Sequence, residues 1–268
     1  MKLKIVDTKN AETGSIELPE QFSEEIRTDL ISRAVLTAQA NARQPYGAYE
    51  MAGMRHSVDL SKRRRDYKTV YGKGASRVPR KVHSRNGTQM TMVAGNVPQA
   101  VGGRNAHPPK GYKIWDQKIN NDERKKAIRC ALAACVDKKM VAARGHKVPA
   151  NYPFILANDF QSIAKTTQFV DALHLLGFTD ELARTDKRKI RAGVGKVRGR
   201  RYKSAVGPLL VVADTCEANK AARNIAGVDV QVVSRLSVEE LAPGAVAGRA
   251  VLFTQAAIAK IKEGNLFQ

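Results

Sequence analysis

Several features are missing from this chain of 268 residues, and each absence argues against a class of protein. No run of 18 or more apolar residues is present, and the first residues lack the apolar stretch of a signal peptide. Three cysteines without a C-x-x-C pair and five scattered histidines predict reduced, buried thiols and no metal site. We therefore expect a soluble, cytoplasmic protein with no membrane contact and no cofactor.

Acidic residues are scarce in two stretches, and this scarcity concentrates the positive charge. The net charge is +21, from 46 Lys and Arg against 25 Asp and Glu. Residues 44–112 hold 13 basic and 3 acidic groups, and residues 184–203 hold 10 and 1. The other 179 residues are nearly neutral, with 23 basic and 21 acidic groups. Because like charges at this density repel one another unless a polyanion screens them, the pattern indicates polyanion binding.

The nearly neutral residues, 1–43 and 113–268, predict one globular α/β domain. Their apolar strands alternate with helices, which favours a doubly wound, mostly parallel sheet with helices on both faces. After the second basic stretch, strands are predicted at 209–213, 228–233 and 250–253, and helices at 217–224, 237–241 and 255–263.

Local signals predict where the helices begin and end. Ser23 is placed to cap the first helix, and a single helix is predicted over 121–144. Asp214 with Glu217, and Ser237 with Glu240, have the spacing of capping boxes at two later helix starts.

Residues 44–112, the basic loop, lack the periodicity of a helix or a strand. Nine glycines and five prolines interrupt them. A structureless insertion of this length in a compact domain is functional or orders on binding. We predict a long, extended, non-globular loop that reaches at most about 100 Å when doubled back and orders only when phosphates neutralise it.

A doubly wound sheet also raises the alternative of a nucleotide-dependent enzyme. The glycine cluster at 193–199 fits neither the dinucleotide-binding motif nor the P-loop, and no predicted strand leads into it. Asp159 and Asp214 follow strands, but each precedes a helix, where Asp is a preferred cap. No histidine or second acid is spaced to complete a catalytic pair, so we predict no enzyme and no catalytic residue.

The side chains of the two basic stretches suit RNA. Arginine beside glycine in residues 184–206, the second basic segment, lets the backbone approach phosphates while guanidinium groups bind them bidentately. Tyrosines and histidines interleave with arginines in the basic loop and offer planes for unstacked bases, although ordinary packing of the tyrosines remains an open alternative. Charge alone does not separate RNA from DNA, but no major-groove binding motif is present. The candidate RNA-binding residues are Arg43, Tyr46, Arg55, Arg63, Arg64, Arg77, Arg80, Lys81, Arg85, Arg104, His107, Lys110, Arg188, Arg191, Lys196, Arg198, Arg200, Arg201 and Lys203.

Nine sequence segments in order resemble the family of the universal large-subunit ribosomal protein numbered four, in its archaeal and eukaryotic form. They are RQPYG (43–47), SRVPR (76–80), GGRNAHPPK (102–110), KINNDERKKAIRCALAA (118–134), RGHKV (144–148), GKVRGRRYK (195–203), NIAGVDV (224–230), LSVEELAPG (236–244) and LFTQAAI (252–258).

The resemblance implies a structural role in translation. It implies a globular α/β domain on the solvent side of the large ribosomal subunit and a basic loop, 44–112, that penetrates the rRNA. The loop tip, between Arg77 and Ala100, would help line the nascent-peptide exit tunnel. The implied partners are large-subunit rRNA, neighbouring ribosomal proteins including another tunnel-lining protein, and the nascent peptide. Binding of its own messenger RNA, as in some bacterial relatives, stays open as a further alternative.

Overall fold

The computed structural model describes residues 1–87 and 89–268, which form two compact units. The body comprises Met1–Ala42 and Asp116–Gln268, and the arm comprises Arg43–Trp115. In the part of the chain described, no helix is long and apolar enough to cross a lipid bilayer.

The strands are Lys2–Val6 (β1), Glu12–Glu17 (β2), Arg80–Asn86 (β3), Gln89–Ala94 (β4), Ile155–Leu156 (β5), Lys189–Ile190 (β6), Tyr202–Lys203 (β7), Leu209–Val212 (β8), Asp229–Val232 (β9) and Val251–Thr254 (β10). The helices are Thr28–Ala42 (α1), Asn121–Val136 (α2), Lys138–Arg144 (α3), Thr166–Leu175 (α4), Thr179–Asp186 (α5), Glu217–Arg223 (α6), Val238–Leu241 (α7) and Gln255–Glu263 (α8).

The body is built on a sheet with the strand order β2-β1-β5-β10-β8-β9. The five strands from β1 to β9 in this order are parallel to their neighbours, and β2 is antiparallel to β1 at one edge. The register sets Val251 opposite Leu209 and Leu209 opposite Asp229. Such parallel strands need crossover connections, which the helices supply.

Successive residues of the central strands enter two different hydrophobic cores. Ile155 and Leu209 pack in one core with α1, α2, α7 and α8. Leu156 and Leu210 pack in the other core with α4 and α6. Because neighbouring side chains of a strand point to opposite faces, both faces of the sheet are covered. The predicted α/β class, with a mostly parallel sheet and helices on both faces, is confirmed.

Three local predictions are wrong because side chains make other hydrogen bonds. The Ser23 hydroxyl donates to the Glu20 carbonyl at 2.7 Å and closes a 3-10 turn, so α1 begins only at Thr28. Asp137 breaks the predicted helix 121–144 in two, because its carboxylate accepts the Lys139 N–H at 2.9 Å and caps α3. Asp214 does not cap α6, since its carboxylate accepts from Lys260 Nζ at 2.6 Å.

The cysteines are free, as the sequence predicts, but they are not equally buried. Cys130 and Cys135 are buried in the body, and burial raises the pKa of the Cys135 thiol to about 12. The prediction is wrong for Cys216, which is half-buried and contacts the Asn219 side chain at 3.4 Å.

Candidate nucleic-acid interface

The arm is a chain that folds back on itself, and backbone hydrogen bonds join its two limbs. The Ala48 N–H donates to the Pro109 carbonyl at 2.8 Å. Farther along, Asp59 and Arg80 exchange backbone hydrogen bonds of 3.2 and 3.0 Å. These contacts give the basic residues of the arm defined positions along two adjacent limbs.

Two glycines permit the limbs to approach this closely. A Cβ added at Gly47 would lie 2.3 Å from the Gly111 nitrogen. Gly53 has a φ of +74°, and a Cβ there would lie 2.5 Å from the Arg104 Cα. Larger residues at either position would force the two backbones apart.

The middle of the arm contains an antiparallel hairpin of β3 and β4. Arg80 lies opposite Ala94, and Asn86 lies opposite Gln89, with an irregular register between Val82 and Ser84. The prediction that 44–112 lacks regular structure is wrong for this hairpin. The alternation of exposed and half-buried residues along β4 covers only six residues. Because Gly87 and Gly95 lie on either side of β4, the sequence around it reads as a loop. The expected tip, 77–100, includes Thr88, which lies outside the described residues.

Two of the three acidic side chains of the arm stabilise turns. Asp66 accepts hydrogen bonds from the Ser61 hydroxyl and the Tyr67 N–H, both at 2.8 Å, and these bonds lower its pKa below the usual range. Asp59 accepts the Leu60 N–H at 2.8 Å. Both carboxylates therefore stabilise the backbone close to them in the sequence.

Ion pairing differs sharply between the body and the basic stretches. In the body, Arg129 pairs with Glu24 at 2.7 Å, Lys260 pairs with Asp214 at 2.6 Å, and the buried Arg249 pairs with Asp229. Over the described residues, no ion pair involves a cation of the arm or of 187–203. The charges of these stretches are left for an external anion.

The tyrosines of the arm pack against its own cations. The Arg55 guanidinium lies 4.2 Å from the centroid of the Tyr49 ring, and that of Arg77 lies 4.6 Å from the Tyr71 ring. Arg85 lies over the Tyr67 ring at 5.8 Å. Because Tyr67 remains 56% exposed, part of its ring is free to contact a base.

Trp115 organises a further aromatic and cationic group that sequence reasoning missed. Its ring lies 4.9 Å from that of Tyr46, 4.7 Å from the Arg43 guanidinium and 5.2 Å from Lys113 Nζ. Its buried Nε1–H has no hydrogen-bond partner among the described residues. The sequence did offer one signal for this group: the single tryptophan of the chain lies three residues after residue 112, the expected end of the basic loop.

The second basic segment forms a small lobe on the body. β6 and β7 pair antiparallel, with Lys189 opposite Lys203 and Ile190 opposite Tyr202. The Arg191 guanidinium donates from Nε to the Arg200 carbonyl at 3.1 Å, so this candidate residue supports the lobe's backbone.

A buried carboxylate joins the ends of this segment to the rest of the body. Glu181 accepts hydrogen bonds from Arg184 Nη2 at 2.6 Å and the Lys147 N–H at 2.9 Å, and His146 Nδ1 lies 2.6 Å away. Burial alone would raise the pKa of Glu181, but the hydrogen bonds from Arg184, His146 and Lys147 outweigh it and lower the pKa to about 2. Arg184 also donates to the Val206 carbonyl at 2.7 Å. Sequence counting places Arg184 among the phosphate-seeking cations, whereas the structure gives it this internal role.

The nineteen candidate residues, all of which the structure describes, fall into two groups. Twelve lie in the arm and seven in the second basic segment. Arg80, Lys81 and Arg191 are half-buried, and the other sixteen are exposed. Exposure without an acidic partner is what direct contact with phosphates requires.

Comparison with known proteins gives consistent matches over the length of the chain. A model of the ribosomal protein L4/L1 family matches residues 16–264. Large ribosomal subunit protein uL4 of Nanoarchaeum equitans is 45% identical over 268 residues, which is 100% of both chains. The proteins of the same name from Methanococcoides burtonii and Halobacterium salinarum are 42% and 38% identical, covering 96% and 98% of this chain and 96% and 100% of the relatives.

Proposed function

Because the chain belongs to the ribosomal protein L4/L1 family, in its archaeal form, we propose that its arm and second basic segment bind large-subunit rRNA. Membership makes the protein a structural constituent of the large ribosomal subunit, acting in translation, and not an enzyme. The resemblance drawn from the nine sequence segments is thereby confirmed.

The observation that carries the proposal is the unequal pairing of cations. Seven body cations, Arg129 among them, have carboxylate partners, whereas the exposed arginines of the arm and of the second basic segment have none in the described structure. Each phosphate that such a cation neutralises releases counterions and adds about 0.7 to 0.9 to the salt slope of binding. We expect steep salt dependence, since fourteen of the exposed candidates are Lys or Arg.

The aromatic residues of the arm add contacts with bases. Tyr46 and Tyr67 are 57% and 56% exposed. Tyr46 shares the Trp115 ring with Arg43, and Arg85 lies over the Tyr67 ring. A base stacked on such a ring would have a cation beside its phosphate. This arrangement suits unpaired nucleotides, since bases in a duplex are already stacked.

The charge pattern of the hairpin supports a role for the tip at the exit tunnel. β3 carries Arg80, Lys81 and Arg85, whereas residues 86–103 contain no charged side chain. In this proposal the β3 side contacts rRNA, and the uncharged side faces the tunnel beside another ribosomal protein. An uncharged surface would let acidic and basic nascent peptides pass without ionic trapping.

Charge reversal at Arg198, Arg200 and Arg201 tests the proposal in an archaeal host. We expect the triple Glu variant to be missing from large subunits after a high-salt wash, because it replaces phosphate-binding groups by repelling ones. The control reverses three exposed body cations, Lys9, Lys165 and Lys262, which should leave incorporation unchanged. Circular dichroism checks that both variants fold. Normal incorporation of the Arg variant would refute RNA binding by this segment.

A further inference from the structure

The second basic segment exposes apolar side chains among its cations. Val194 and Val197 are 62% and 85% exposed, in a lobe whose other exposed residues are mostly Lys, Arg and Gly. Pure phosphate binding does not require such residues, and their exposure to water is unfavourable.

A 3-10 turn places these two valines together. The turn spans Val194–Lys196, and the Val197 N–H donates to the Val194 carbonyl at 3.1 Å. With three residues per turn, positions i and i+3 lie on the same edge of a 3-10 helix. Val194 and Val197 therefore form one apolar edge at the end of the lobe.

Hydrogen bonds hold this edge in a defined conformation. The Arg200 N–H donates to the Gly195 carbonyl at 3.0 Å, and the Arg191 N–H donates to the Arg201 carbonyl at 2.8 Å. A Cβ on Gly195 would lie 2.9 Å from the Arg191 Cδ, so the turn packs directly against that side chain. The lobe thus presents the two valines from a braced backbone.

The surrounding charge identifies the class of partner. Lys196 and Arg198 flank the apolar edge, and Asp186 is the only acid from 184 to 203. A matching surface must offer closely spaced anions around a nonpolar strip. The minor groove of A-form RNA fits this best, because it is wide and shallow and exposes the carbon atoms of the sugars, beside their 2′-hydroxyls and the base edges, between phosphate rows.

We propose that Val194 and Val197 enter a minor groove of large-subunit rRNA while the flanking cations bind its phosphates. This inference rests on the proposed function and adds a nonpolar contact to it. The valines contribute affinity that salt does not screen, whereas the cations contribute the salt-dependent part.

The test compares two double variants of the full chain by filter binding to an in vitro transcript of archaeal large-subunit rRNA over a range of KCl concentrations. V194T/V197T keeps the branched side-chain shape but replaces one methyl group of each valine with a hydroxyl. We expect its Kd to rise by about tenfold at every KCl concentration with an unchanged salt slope, because nonpolar contact is lost. K196Q/R198Q should also raise the Kd, and should lower the slope by about 1.4 to 1.8, because two charges are lost.

Val246 supplies a matched control, since it is a 54% exposed valine of the body outside the basic segment. V246T should bind the transcript as the parent does. If K196Q/R198Q acts as expected and V194T/V197T binds like the parent, the groove contact is refuted and RNA binding stands. If neither double variant changes the Kd or the slope, RNA binding by this segment is itself refuted. If V194T/V197T binds the transcript normally but is lost from subunits, the valines contact a protein, which also overturns the inference.

Discussion

Replacing Glu181 with Gln perturbs the buried carboxylate that joins the ends of the second basic segment. The Glu181 side chain is 0% exposed, lies 2.6 Å from His146 Nδ1 and forms an ion pair with Arg184. The amide of Gln has no charge and only one acceptor oxygen, so it cannot replace both carboxylate oxygens. The substitution should destabilise the body and loosen the Arg184 contact with the Val206 carbonyl.

The pKa of Glu181 indicates the size of this effect. Lowering it from 4.5 to about 2 corresponds to about 3 kcal/mol of stabilisation at neutral pH, at about 1.4 kcal/mol per pKa unit. Breaking a buried ion pair by removing one partner has a similar typical effect, about 3 to 5 kcal/mol. We therefore expect E181Q to lower the free energy of unfolding by about 3 kcal/mol at pH 7.

Urea unfolding followed by circular dichroism measures this difference. Because the folded-state pKa of Glu181 is depressed, its stabilisation is complete above about pH 4.5 and is lost as the pH falls towards 2. The free-energy gap between the parent and E181Q should narrow over the same range.

An exposed ion pair provides the control. Lys4 and Glu12 pair on the surface with side chains 64% and 59% exposed, so E12Q should change the free energy of unfolding by less than about 1 kcal/mol. The reasoning would be refuted if E181Q stayed within 1 kcal/mol of the parent at pH 7, or if its deficit did not shrink below pH 4.5.

Two predictions concern the arm. G53A should increase protease cleavage within 43–115 and weaken binding to the rRNA transcript, because the added Cβ would collide with the Arg104 backbone. G72A is the control and should have a much smaller effect, since Gly72 has the same φ of +74° but a Cβ there would have nothing within 4 Å. Equal effects of the two variants would contradict a role for close backbone approach at Gly53. Trp115, the single tryptophan, should change its fluorescence when the transcript binds, and the change should reverse at high salt, since Arg43 and Lys113 contact its ring. An unchanged spectrum at saturating RNA would exclude RNA contact at this group.

Local sequence patterns were sufficient to predict those parts of the fold that depend on residues close together in the chain. Continuous apolar strands such as 209–213 and 250–253 predicted the parallel sheet, since only strands buried on both faces lack alternation. Predictions of helix caps succeeded only in part, since the predicted capping box of Ser237 and Glu240 forms at α7 whereas the predicted caps at Ser23 and Asp214 do not. Ser23, Asp137 and Asp214 are all suitable caps by type, and which of them caps a helix depends on competing donors and acceptors brought near by folding.

In the candidate interface, too, the sequence predicted some features and folding decided others. Counting charges located the two basic stretches, but it treated all their cations alike. Arg184 and Arg191 are engaged by internal acceptors, whereas Arg198 and Arg200 remain exposed. Trp115 was missed because its partner Arg43 lies 72 positions earlier in the chain and becomes its neighbour only when the arm doubles back.

The amino-acid sequence by itself determined the α/β class, the uneven charge and the family resemblance, because these follow from composition, short-range periodicity and ordered segments. Only the tertiary structure decided which cations remain available to a polyanion. Glu24 neutralises Arg129 from 105 positions away, and packing alone brings them to 2.7 Å. Ion pairs depend on distance in space, so a protein's charge becomes a binding surface only after folding has settled which charges it pairs internally.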